Sequence, residues 1–147
     1  MVQWIYRRAT DIDENDGIEG YYSERFNLWI LADRFDITGL MNHVIDILCT
    51  KTPPQDEGQC RVPGAESIKL AWSRTADGSP LRIYVLSIFL KHIDRARWAL
   101  KDETRDLLQG CPEFAADVVK YALGGLMKAG RAGCAHCEDR KYLYAKV

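Results

Sequence analysis

With 147 residues, 47% hydrophobic and 28% charged, the chain has the balance of one ordinary globular domain, long enough to bury a core and unlike a disordered segment. Its 20 basic and 21 acidic residues leave a net charge of −1, which excludes the strongly basic field that holds nucleic acid and the polybasic stretch that holds an anionic membrane surface. No apolar run approaches the roughly 18 residues of a membrane-crossing helix; the longest, residues 81–93, is broken by Arg82, Ser87 and Lys91.

The first ten residues lack the apolar core and small-residue cleavage site of a secretion signal. The five cysteines, Cys49, Cys60, Cys111, Cys134 and Cys137, are odd in number. Together these features predict a reducing compartment, cytoplasm or nucleus, rather than a secreted disulfide framework.

Trp4, Ile5 and Tyr6 stand together near the N-terminus, a pattern that fits a short strand or the end of a helix. The acidic stretch Asp11, Asp13, Glu14, Asp16, Gly17, Glu19, Gly20 reads as an exposed loop. Ser23 is the expected cap of a helix running to Arg34, with Leu28, Leu31 and Phe35 at i, i+3 and i+7 as its apolar face. After a break at Asp36 and Ile37, Thr38 is the expected cap of a second helix. Its face is Leu40, Met41, Val44, Ile45 and Leu48. Pro53 and Pro54 stop that helix, and a polar loop follows.

Pro63 suits the first turn of a third helix, with Ile68, Ala71 and Trp72 as its stripe and Ala76, Asp77 and Gly78 as its end. Ser79 and Pro80 form the strongest helix start in the chain, a capping residue followed by proline at the first helical position. Leu81, Tyr84, Val85, Ile88 and His92 share one face of that helix, and Ile83, Leu86, Leu90 and Ile93 share another. A helix apolar on two faces is expected to be central and mostly buried. A shorter helix is predicted over 102–109, closed by Gly110. Pro112 opens the last one, with Phe114, Val118, Tyr121, Ala122 and Gly125 on one face. From about residue 130 the chain reads as a flexible tail. No internal repeat or low-complexity segment is present, and the fold class expected is mainly α, with little or no sheet.

Several of these segments resemble fungal BTB/POZ-domain proteins. Val2-Gln3-Trp4-Ile5-Tyr6 is similar to the family's "WLYTG" element, with Arg7 and Arg8 in place of its Thr-Gly. Leu28-Trp29-Ile30-Leu31-Ala32-Asp33-Arg34-Phe35-Asp36-Ile37 resembles "LYVLADKYDI". Gly39-Leu40 followed by Val44-Ile45-Asp46-Ile47-Leu48 resembles "GLKNLAIDAL", and Ser79-Pro80-Leu81-Arg82 resembles "SPLR". Order and spacing agree over roughly residues 2–93. The resemblance implies the C-terminal part of a BTB/POZ-like domain over 1–50, a linker loop over 51–62, a helical extension over 63–129 and a tail over 130–147. It implies a non-enzymatic protein-interaction adaptor. In the family such modules bind a cullin-type ubiquitin-ligase scaffold or another BTB chain, or serve transcriptional regulation. The family's sheet-building first half has no counterpart here. Leu28, Leu31, Leu40, Val44 and Leu48 are therefore expected to lose part of their cover, leaving the chain marginally stable or dependent on a partner.

The chemistry-bearing residues are few. Cys134 and Cys137, with His136 between them, supply one close pair, whereas a structural zinc needs four ligands; Cys60 and Cys111 form no standard second pair. A small zinc-binding or redox protein centred on Cys134 and Cys137 is the alternative reading, and the expectation is that no metal or other cofactor is held. His43 and Asp46, three apart on one helix, are expected to make a surface hydrogen bond rather than a catalytic pair. His92 reads as a core histidine and Ser79 as a helix cap. Gly124 and Gly125 lack the Lys-Ser/Thr of a phosphate loop and read as a close helix approach or a helix end. Trp29 and Trp72 are expected in the core. Trp98, among Asp94, Arg95 and Arg97, reads either as an interface hot spot or as packed on the preceding helix. No catalytic constellation emerges, so catalytic residues are expected to be none.

Overall fold

The computed structural model describes residues 17–50, 63–93 and 102–124. Among these residues are six helices: α1 (Gly17–Arg34), α2 (Thr38–Thr50), α3 (Ala65–Arg74), α4 (Pro80–Ile93), α5 (Asp102–Gly110) and α6 (Pro112–Gly124). The described residues form no strand, in agreement with a mainly-α fold. The expected strand or helix end at Trp4, the linker loop and the tail lie outside the described residues.

α1 begins six residues before the expected cap. Ser23 sits inside it, and its hydroxyl donates to the Gly20 carbonyl at 3.3 Å. The face it buries also differs from the expected stripe. Tyr22, Arg25, Phe26, Trp29 and Ala32 are buried, whereas Leu28 is half-buried and Leu31 and Phe35 are 47% and 66% exposed. The reason is competition between two apolar faces on one helix. At 3.6 residues per turn, Leu31 and Phe35 lie across the helix from Trp29. The set Tyr22, Phe26 and Trp29 removes more apolar area from water than the aliphatic set does.

α1 stops by backbone chemistry that composition hides. Asp36 adopts a left-handed φ of 55°. The Ile37 amide donates to the Ala32 carbonyl at 2.8 Å and the Asp36 amide to the Asp33 carbonyl at 3.1 Å. This is the paired bonding of a Schellman helix end, with aspartate where glycine is commonest. The Ile37 carbonyl then accepts the Leu40 and Met41 amides at 3.0 and 3.1 Å. Ile37 therefore takes the capping place, and Thr38 is the first residue of α2 rather than its cap.

α2 buries Leu40, Met41, Val44, Ile45, Ile47, Leu48 and Cys49. Leu40, Val44 and Leu48, expected to lack cover, are at most 2% exposed. The chain's own helices supply that cover: α1 packs along α2, and the Tyr84 hydroxyl of α4 donates to the Leu48 carbonyl at 3.2 Å. Of the five residues expected to lose cover, only Leu28 and Leu31 remain partly or largely in solvent.

α3 is capped by the extended backbone of Gly64, with Pro63 buried just before it. It packs on α1, α4, α5 and α6 and buries Ser67, Ile68, Ala71 and Trp72. It ends at Thr75, and Gly78 turns the chain with a left-handed φ of 71°. Ser79 caps α4 as expected, its hydroxyl accepting the Arg82 amide at 3.4 Å. α4 buries residues on both faces, Leu81, Tyr84, Val85 and Ile88 together with Leu86 and Phe89. α5 and α6 add Leu107 and Phe114. One hydrophobic cluster takes buried residues from all six helices, joining α1 and α2 to the helices beyond residue 63. Gly124 closes α6 with nothing within 4 Å of where a side chain would stand, so it marks a helix end and not a close helix approach.

Candidate interaction surface

Polar side chains inside the helical core are the first place to look for chemistry. Arg82 follows the apolar Leu81 on α4 and is only 6% exposed. Its guanidinium donates to the Trp72 carbonyl at 2.8 Å, the Thr75 carbonyl at 2.7 Å and the Thr75 hydroxyl at 3.0 Å. Those carbonyls belong to the open C-terminal end of α3, which has no intrahelical donors left for them. Asp117 on α6 lies 3.7 Å from the same guanidinium and accepts the Trp72 indole N–H at 2.9 Å; Glu113 lies at 3.9 Å. Phe114 stands edge-on to both Trp72, at 4.7 Å, and Phe89, at 5.0 Å. This knot ties α3, α4 and α6 together. Its buried polar groups are engaged by the end of α3, by the Trp72 indole and by Asp117, so it holds the fold.

A second cluster lies where α1, the end of α2 and α4 meet. Arg25, 3% exposed, donates to the Tyr21 carbonyl at 3.0 Å, and its guanidinium lies 3.5 Å from the centre of the Tyr21 ring. Burial lowers the pKa of Arg25 and raises that of Tyr21, an effect that Arg25 itself partly opposes. Tyr84 is fully enclosed, and burial pushes its phenol well above the ordinary range, with Tyr22 and Cys49 adding to the shift. Among the described residues, Arg25 Nε and the Trp29 indole N–H are buried without a hydrogen bond. Both costs are carried inside the aromatic core, not at an opening.

The surface carries the feature that the core does not explain. Leu28, Leu31 and Phe35 follow one another along the outer side of α1, and Ile37, 37% exposed, continues the apolar strip past the turn. Exposed Glu24, Asn27 and Arg34 flank it. Single exposed apolar residues are ordinary, but a contiguous apolar strip with a polar rim marks a contact surface. A second, smaller pair, Val119 and Leu123, lies on the outer side of α6, 56% and 84% exposed.

Of the residues singled out in the sequence, Trp72, Trp29 and Ile88 are buried at 4%, 1% and 6%. His43 and Asp46 are both half-buried on α2, and Ser79 is a cap. Cys49 is buried and Cys111 half-buried, neither of them in a disulfide. Cys60, Trp4, Trp98, Cys134, His136, Cys137 and the side chain of His92 lie outside the described residues. No group of three or more His, Cys, Asp or Glu among the described residues is placed to hold a metal ion. No helix among them is long and apolar enough to cross a membrane. Sequence reasoning expected Leu28 and Leu31 to lose cover but took them, with Phe35, as the face that α1 buries; the competing aromatic set on the same helix was the available signal. The chain matches no protein-family model, no curated protein and no solved structure.

Proposed function

We propose that this chain is a non-enzymatic protein-interaction module that presents the outer face of α1 to a partner. The observation that carries the reading is the strip of exposed Leu31, Phe35 and Ile37 beside half-buried Leu28, while most other large apolar side chains among the described residues are packed into one cluster. The polar networks are consumed by helix ends and aromatic packing. Among the described residues, the chemistry of the exposed strip suits an apolar face of another protein. The BTB/POZ resemblance supports the same class of role, an adaptor meeting a ubiquitin-ligase scaffold, another chain of its own kind or a transcriptional regulator.

The test is the size of the complex that the protein forms in its own cell extract. The wild type is expected to elute well above its free mass, and Leu31→Ser/Phe35→Ser at the free mass with an unchanged helical spectrum. Equal elution of the two proteins would overturn the reading.

A further inference from the structure

We draw no further inference here: the strongest candidate, the apolar strip of Leu28, Leu31, Phe35 and Ile37 along the outer side of α1 and the turn that follows it, carries nothing beyond the contact surface already proposed, because nothing in the structure shows what covers it.

Discussion

Replacing Arg82 by methionine keeps a long, helix-compatible side chain at that position and removes every polar contact that Arg82 itself makes in the knot. Three donated hydrogen bonds are lost. The one to the Trp72 carbonyl is buried, and the two to Thr75 are partly buried. A buried acceptor left without a donor costs about 1–3 kcal/mol. The two Thr75 acceptors regain water in part, so each is assigned about 0.5–1 kcal/mol, the range of an ordinary net hydrogen bond. Asp117 keeps the Trp72 indole N–H but loses the cation 3.7 Å away. Against this, the guanidinium no longer has to be desolvated. The balance is a loss of about 3 kcal/mol, a large share of a typical margin of about 5–15 kcal/mol. Urea unfolding followed by far-UV circular dichroism should show it as a lower midpoint with an unchanged slope. Arg82→Lys, which keeps the charge but not the planar fork, should fall between methionine and wild type. A loss below about 1 kcal/mol for Arg82→Met would refute the claim that this residue ties α3, α4 and α6 together.

Asp36→Gly should stabilise the chain by about 0.5–1 kcal/mol, because glycine holds the left-handed φ at the end of α1 without a Cβ penalty; thermal unfolding that falls rather than rises would contradict this. Tyr84 and Tyr21 keep their protons in the fold to higher pH than in the unfolded chain, so their contribution is complete below about pH 10 and is lost as pH rises above it. Urea midpoints measured across that range should decline, and Tyr84→Phe should decline less steeply than wild type. Trp72→Ala should cost about 3–5 kcal/mol as a loss of a buried aromatic, whereas Phe35→Ser should stay within about 0.5 kcal/mol of wild type; equal costs in denaturant titrations would place Phe35 in the core after all.

The helical class and most helix limits were legible because caps and prolines act locally. Ser79 with Pro80, Pro112 and Gly110 all mark boundaries that the structure keeps. The face that α1 buries was not legible. Leu28, Leu31 and Phe35 have good helical spacing, and so do Tyr22, Phe26 and Trp29. Which set faces inward is decided by what α2, α3 and α4 bring against it, and that is not written in the helix itself. Ser23 looks like a cap, yet nothing in its neighbours says that the helix has already begun at Gly17. Arg82 was visible as a charge interrupting an apolar helix. Its role was hidden, because its acceptors sit at the end of a different helix, and its acidic neighbours, Glu113 and Asp117, lie more than thirty residues further along the chain. The cover over Leu40, Val44 and Leu48 was hidden for the same reason: it is supplied by long-range packing, including Tyr84 against the end of α2.

On the proposed function, α1 has two working faces, an aromatic one that holds the fold and an aliphatic one that meets a protein partner. A photo-crosslinking residue introduced at Phe35 and activated in living cells tests it most directly, with the same residue at exposed Asp77 as the comparison. A discrete crosslinked adduct is expected from position 35, absent from position 77 and lost when Leu31 is changed to serine. Adducts equal in pattern and yield from the two positions, or none from position 35, would contradict it.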